Sequence, residues 1–340
     1  SGGQESRAGY FQSKNCMREL TCAARMGKPI VALLEPEVIH GGLSMEQVRE
    51  QVIEAEQQYK AWGFDAETPR GAALYDALFA IAPIEWNRIG DAQDVTMRVI
   101  GEQLLPDAVR GTTYVRGEVS QQRPRLPQLP PARRHVYCSP HNAGADELIQ
   151  EVRAALEVEV TATSSIEELG SCEHFFVLLD SRTWTGSSTA ALAAEITQAL
   201  DQGVPLLLVH EMPSALPEAE GGQERHAVEF ASFFVHTPSE LLEREMGDGL
   251  RGIYSKVAIA LKPGVWRQVG MVRVVQAMGG VLSAGWCVSG ARVGAVPRRS
   301  TLARVAMAAK RRSKVALADS VEQPTLRSER YAEATGMSRA

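Results

Sequence analysis

Two distant segments of the chain share one pattern of hydrophobic and polar positions. Residues 19–35 read ELTCAARMGKPIVALLE and align without a gap on residues 195–211, which read EITQALDQGVPLLLVHE. In each segment a helical pattern ends at a glycine, a proline follows closely, and an apolar run leads to a glutamate. The pattern predicts a helix, a tight turn and a buried parallel strand at both places.

The region before the second segment contains the remaining elements of an α/β domain. Apolar runs predict three strands, at residues 135–139, 158–163 and 175–179. A helical period predicts one helix, at residues 145–156. Strands that alternate with helices in this order predict a doubly wound, flavodoxin-like parallel sheet. We therefore expect a complete α/β domain over residues 135–280.

The first segment belongs to a copy that lacks its front. Residues 1–110 start their pattern at Tyr10, directly before a helix, with no strand ahead of it. Ser44 is predicted to cap the next helix, with Gln47 as its capping-box partner. Because one obvious strand cannot bury the flanking helices, residues 1–120 alone are expected to fold poorly.

Prolines separate the two copies. Four of them, at positions 124, 127, 130 and 131, predict an extended, semi-rigid linker over residues 111–134. The P-x-x-P spacing also suits an SH3-type groove. The arginines do not sit at the flanking position that such grooves read, which favours a plain linker.

The chain ends in a basic region. Residues 292–314 carry eight lysines and arginines and no acid, and we expect residues 281–340 to be a disordered tail. The run could contact nucleic acid or a membrane surface or act as a nuclear-localisation patch, but a solvated tail with no dedicated partner fits as well. Residues 274–291 are the one candidate membrane span, and their first half fits the last helix of a domain better.

Composition sets the broad class. With 340 residues, 44% hydrophobic and 23% charged, the chain can bury a core and form about two domains. Five cysteines are an odd number without regular spacing, which favours a reducing compartment over a disulfide framework. We expect a cytoplasmic protein with net charge −5.

Two glutamates are the candidate catalytic residues. Glu19 and Glu195 occupy the same offset in the aligned segments, each next to the apolar stripe of its helix. A carboxyl group held against apolar neighbours is desolvated, which raises its pKa toward the range of acid/base work. The alternative from the residues alone is a glutamate at the edge of the stripe that pairs with a nearby arginine or lysine.

The string SKNCMREL around Glu19, followed by Gly27, Pro29 and an apolar strand, resembles the glutamate-bearing segment of Toll/interleukin-receptor (TIR) domains. The resemblance covers most of residues 10–105 and 135–280, and it implies TIR-like domains in tandem. It also implies that Glu19, or Glu195 as its counterpart, faces a cleft where NAD⁺-cleaving members break the bond between nicotinamide and ribose. The resemblance implies no bound cofactor, because NAD⁺ would be the substrate.

The loop after the first predicted strand of the second copy is the candidate substrate contact. Ser139, His141 and Asn142 lie where a doubly wound sheet binds ligands, although an ordinary strand-to-helix turn explains them too. His135, Cys138 and His141 form an H-x-x-C-x-x-H string, but alternate strand residues face opposite ways and no fourth ligand is near. No metal is therefore expected.

Two functions from different classes remain open. The first is a TIR-like signalling module that associates with itself or with other TIR-like domains, without specific nucleic-acid or membrane partners. The second is an active NAD⁺ hydrolase that uses Glu19 or Glu195. Active TIR domains commonly carry an aromatic residue four positions before the glutamate, where this chain has Asn15 and Ala191, and this favours the interaction role. A nucleoside N-glycosidase or deoxyribosyltransferase-like enzyme is a weaker alternative.

Overall fold

The N-terminal copy is built from helices around one short pair of parallel strands. The computed structural model describes residues 9–35, 37, 40–107, 123–214, 216, 225–246 and 250–282. The elements of the first copy are α1 (Lys14–Arg25), β1 (Leu33–Leu34), α2 (Met45–Glu54), α3 (Tyr59–Trp62), α4 (Gly71–Leu78), β2 (Ile84–Glu85) and α5 (Gly90–Leu104). Strands β1 and β2 pair in parallel. We call residues 10–105 the first repeat.

The C-terminal copy, residues 135–280, is called the second repeat. The chain from residue 123 onward forms β3 (Pro124–Arg125), β4 (Arg134–Cys138), α6 (Ala145–Leu156), β5 (Ala162–Thr163), β6 (Cys172–Leu179), α7 (Thr189–Asp201), β7 (Leu206–Glu211), α8 (Phe233–His236), α9 (Ser239–Glu243), β8 (Glu245–Met246), β9 (Leu250–Arg251), β10 (Ile259–Leu261), α10 (Arg267–Ala277) and β11 (Val281–Leu282). The predicted helix 145–156 is confirmed residue for residue.

Five of these strands form one parallel sheet with the order β5-β4-β6-β7-β10. Numbered along the second repeat, this is the order 2-1-3-4-5 of flavodoxin-like sheets. Alternate residues of each strand point to opposite faces. One face packs on α6 and α10, and the other packs on α7. The mixed α/β fold with a parallel sheet covered on both faces is therefore as the sequence predicts.

The aligned segments fold into the same helix–turn–strand unit. Helices α1 and α7 are followed by Gly27 and Gly203, whose φ angles are +60° and +73°. This left-handed conformation costs little only for glycine, so both helices end there. The capping box between Ser44 and Gln47 is also confirmed at the start of α2.

The two units differ in how many strands surround them. Strand β7 is paired with β6 on one side and β10 on the other, and it extends over six residues. Strand β1 has β2 as its one neighbour among the described residues and extends over two. A parallel strand without a partner on one edge loses half of its hydrogen bonds, which explains the short pairing in the first repeat.

Part of the proline-rich segment is extended and pairs as a short strand. Pro124 and Arg125 form β3, which pairs antiparallel with β11. The backbone carbonyl oxygen of Pro127 lies 3.1 Å from Nε2 of the His135 ring, within hydrogen-bond distance. Proline is tolerated here because β3 is an edge strand of a two-stranded sheet. The segment therefore packs on the second repeat from residue 124 onward.

The end of the chain is described only in part. Helix α10 and β11 occupy the first part of the candidate membrane span at 274–291, whose remainder lies outside the described residues. Within the described ranges, no helix combines the length and apolar character needed to cross a bilayer. The predictions about the basic run at 292–314 and the tail beyond it also fall outside the described part of the chain.

The two repeats pack against each other. Ile84, Ala92 and Val95 of the first repeat are buried in the apolar cluster that α6 and α10 form with the sheet. A separate cluster holds α1, α2 and α4 together within the first repeat. The first repeat thus has a small core of its own and also adds three buried apolar side chains to the core of the second.

Candidate functional site

Glu195 borders the buried face of α7, as the sequence predicts. Leu192 and Ala199 on either side of it are buried, and the Glu195 side chain retains 15% exposure. One carboxylate oxygen, Oε1, lies 3.7 Å from Nε2 of His141. The other, Oε2, is buried and has no hydrogen-bond partner among the described residues. The carboxylate is therefore largely desolvated and incompletely partnered.

Tyr137 is a neighbour of Glu195 that sequence reasoning missed. It lies on β4, its side chain is fully buried, and its hydroxyl has no hydrogen-bond partner within the described ranges. Burial first, and then the charge of Glu195, raise the pKa of Tyr137, so its hydroxyl stays protonated. The Glu195 carboxylate lies close enough to the Tyr137 hydroxyl for its charge and hydrogen bonding to raise the pKa of Tyr137, although Tyr137 Oη and Glu195 Oε2 do not meet strict hydrogen-bond geometry. The available signal was a hydroxyl-bearing aromatic residue inside an otherwise apolar strand.

Tyr137, His141 and Glu195 together form what we call the Glu195 cluster. It unites a buried O–H donor, a carboxylate acceptor and a half-exposed imidazole near the carboxyl end of β4. Unpaired polar atoms inside a protein are rare and need a reason. A ligand hydroxyl placed between them would accept a hydrogen bond from Tyr137 and donate one to Glu195.

The predicted loop residues divide between two places. His141 turns toward Glu195, and its backbone N–H donates to Oγ of Ser139 at 3.0 Å. Ser139 and Asn142 instead line a cleft of about 570 Å³ beside the first turn of α6, and Glu195 is not part of that lining. Since α6 and α7 cover opposite faces of the sheet, the structure does not bring all predicted residues into one pocket.

Asn142 holds the loop in place. Its side-chain amide donates to the carbonyl oxygen of Leu178 at 2.9 Å, and its side-chain oxygen accepts from the Leu178 N–H at 2.7 Å. Both bonds are buried and tie the β4–α6 loop to the end of β6. The side chain of Asn142 is therefore engaged within the protein, and we assign it an anchoring role.

We predict that Asn142→Ala lowers the free energy of unfolding by about 1–3 kcal/mol, because the buried Leu178 N–H loses its acceptor. Chemical denaturation followed by circular dichroism measures the change. Asn15→Ala is the matched control, since Asn15 is exposed on α1 and its removal should have little effect. Equal stability of the two variants would contradict the anchoring role.

Glu19 differs from its counterpart. Its side chain is exposed on α1, so the expectation of a carboxylate held against apolar neighbours is wrong for the first repeat. Glu195 is covered by Tyr137 and His141, which come from β4 and the loop after it. The described part of the first repeat has no strand in the position of β4. The same local sequence therefore gives a solvated glutamate in one copy and a covered one in the other.

A second group of charged residues joins the last helix to the sheet. The Arg267 guanidinium donates to Glu151 at 2.5 and 2.6 Å and to Glu211 at 2.6 Å, beside a cleft of about 330 Å³. Burial raises the pKa of Glu211. Burial also opposes ionisation of Glu151, but Arg267 and Arg225 outweigh it and lower the pKa of that carboxyl. Arg267, at the start of α10, therefore links that helix to α6 through Glu151 and to β7 through Glu211.

The same ion pair recurs in the first repeat. Arg88 donates through Nε to Oε2 of Glu35 at 3.0 Å. Glu35 and Glu211 are the final residues of the two aligned segments, and each arginine follows the last parallel strand of its repeat. The sequence contained the signal for both pairs, since each copy has a tryptophan and an arginine close together at this point. Glu35 and Glu211 thus each pair with an arginine that follows a parallel strand.

The H-x-x-C-x-x-H string does not converge on a point. The His135 ring contacts Thr161 Oγ1 at 2.8 Å, Cys138 is buried in the cluster facing α6, and His141 faces Glu195. Across the described ranges, no group of three histidines, cysteines or acidic residues is arranged to hold a metal ion.

Comparison of the chain with protein-family models, curated proteins and solved structures found no match.

Proposed function

We propose that this chain is a TIR-like signalling module that acts by self-association. One observation carries the proposal: α5, which follows the last strand of the first repeat, packs against α10, which follows the last strand of the second. Equivalent helices of two sequence copies are thus already in contact within one chain. The internal repeat and the 2-1-3-4-5 strand order support the TIR-like relationship.

The contact has the orientation of a two-fold interface. Asp91 in the first turn of α5 pairs with Arg273 in the second half of α10. Thr96, one turn further along α5, accepts a hydrogen bond of 2.9 Å from Trp266, just before α10. The contacts therefore run along the two helices in opposite directions. An antiparallel crossing of corresponding helices is compatible with a two-fold axis perpendicular to them, as in an isologous contact between two copies.

Self-association is tested by the mass of the full chain in solution. Light scattering from micromolar to millimolar protein should show a mass that rises with concentration, in a reducing buffer that excludes disulfide cross-links between exposed cysteines such as Cys22. The buffer should contain moderate salt, because high salt screens the charge pairs at the protein surface. A constant monomer mass over the whole range would overturn the proposal.

NAD⁺ cleavage is a second candidate, favoured by the buried and unpartnered Oε2 of Glu195. Loss of neutral nicotinamide leaves oxocarbenium character on the ribose, which a carboxylate bonded to the ribose hydroxyls stabilises. Water then adds to the anomeric carbon of the ribose and releases a proton, which completes the hydrolysis. The Tyr137 hydroxyl would donate to the same sugar. No metal enters this mechanism.

We expect Glu195→Gln to reduce nicotinamide release from NAD⁺ by about 100-fold or more, the usual cost of losing a group that stabilises transition-state charge. Glu19→Gln is the matched control, because Glu19 holds the equivalent position but is exposed. Release is measured by chromatography at high protein concentration. No release from the unaltered chain, or equal release from the Glu195 variant, would exclude this activity.

A further inference from the structure

The surface between the repeats has an apolar centre closed by specific polar pairs. Ile84, Ala92 and Val95 are at most 5% exposed, and they pack in the cluster that contains Trp266 of the second repeat. Next to them the Glu85 carboxylate pairs with the Lys262 ammonium. This combination of a buried apolar centre and matched charges is typical of a specific protein–protein interface.

The charged pair determines which partner fits. The side chains of Glu85 and Lys262 are 1% and 8% exposed, and Ser214 donates a further hydrogen bond to Glu85 at 2.9 Å. A buried charge without its partner costs several kcal/mol. A surface that presents Lys262 in this way accepts a partner that supplies a carboxylate at the same point, and the first repeat supplies it.

Nothing in these contacts requires the two repeats to belong to one chain. The paired residues are 129 to 182 positions apart in sequence. Residues 105–123 connect the repeats, and their nineteen residues span roughly 60 Å when extended. A stretch of this length allows the first repeat of one chain to reach the second repeat of another.

We propose that the first repeat of one chain docks on the second repeat of a second copy of this chain, through the same Glu85–Lys262 and α5–α10 contacts. This inference rests on the proposed self-association and names its surface and its partner. When two chains exchange first repeats, each second repeat regains the contacts that it makes within a single chain. The cost of forming the dimer is then the translational and rotational freedom that the two chains lose on association. The exchanged dimer is favoured as concentration approaches the effective concentration that the connection imposes within one chain.

Charge reversal in separate chains tests the exchange. Glu85→Lys in one full-length chain and Lys262→Glu in another each place like charges at the interface within their own chain. Mixed, the two variants offer opposite charges at both interfaces of an exchanged dimer. We expect the mixture to contain at least tenfold more dimer than either variant alone at equal total concentration, measured by native mass spectrometry.

Three further variants keep the test decisive. The double variant Glu85→Lys/Lys262→Glu restores opposite charges within one chain and should behave like the unaltered protein. Asp91→Arg and Arg273→Asp form a second pair at the more exposed rim, where each single variant is expected to fold even if reversal at the buried pair is not tolerated. They should show the same preference for the mixture.

The outcomes separate the two proposals. Preferential dimers in either mixture support exchange. If the unaltered chain self-associates but neither mixture exceeds its single variants, exchange is overturned while self-association through another surface stands. If the unaltered chain stays monomeric up to millimolar concentration and the mixtures do too, both proposals fail.

Discussion

Replacing Lys262 with methionine is expected to lower the free energy of unfolding by about 3–5 kcal/mol, the usual cost of removing one member of a buried ion pair. The methionine side chain fills a similar volume, so packing changes little and the loss reports on the Glu85 carboxylate. That carboxylate is 1% exposed and retains Ser214 as a hydrogen-bond donor. Urea denaturation monitored by tryptophan fluorescence and by circular dichroism gives the change.

Two controls separate the buried charge from general damage. The double variant Glu85→Met/Lys262→Met removes both charges and should recover most of the stability, because a buried ion pair is often replaced by apolar residues without loss. Arg25→Met breaks the pair with Asp65, in which both side chains are more than half exposed, and should cost at most about 1 kcal/mol. A Lys262→Met effect as small as that of Arg25→Met would show that the pair is solvated.

Residues 1–120 expressed alone are expected to show no cooperative thermal transition. The described strands of this part, β1 and β2, have two residues each, and a single two-stranded pair is marginal in water. The apolar side chains of Ile84, Ala92 and Val95, which are buried against the second repeat, would also become exposed. Calorimetry or far-UV circular dichroism over a temperature ramp measures this.

The full chain is the reference for that experiment, and it should unfold cooperatively under the same conditions. Adding the separately expressed remainder of the chain, residues 121–340, to the fragment should increase its helical signal, because the second repeat supplies the missing apolar partner. A sharp transition in the fragment alone would mean that the cluster around α1, α2 and α4 is sufficient to fold it.

Glu19 and Glu195 show which features local sequence predicts and which it does not. The aligned segments predict the helices, the glycine stops and the strands, and these are formed because they depend on neighbours within a few positions. The sequence also predicts the border position of Glu195, since three- and four-residue spacings define a helix face. The burial of that glutamate depends on β4 and its loop, which the described first repeat lacks.

The sequence by itself determined the α/β class, the alternation of strands and helices in residues 135–280, and the internal repeat, because periodicity and caps are read from adjacent residues. Tertiary structure alone decided that Tyr137 meets Glu195, that Lys262 meets Glu85, and that Pro124 pairs with a strand near residue 281. These partners lie 58, 177 and more than 150 positions apart in the chain. No short-range pattern encodes such distances, since they follow from which faces the packed elements present to each other.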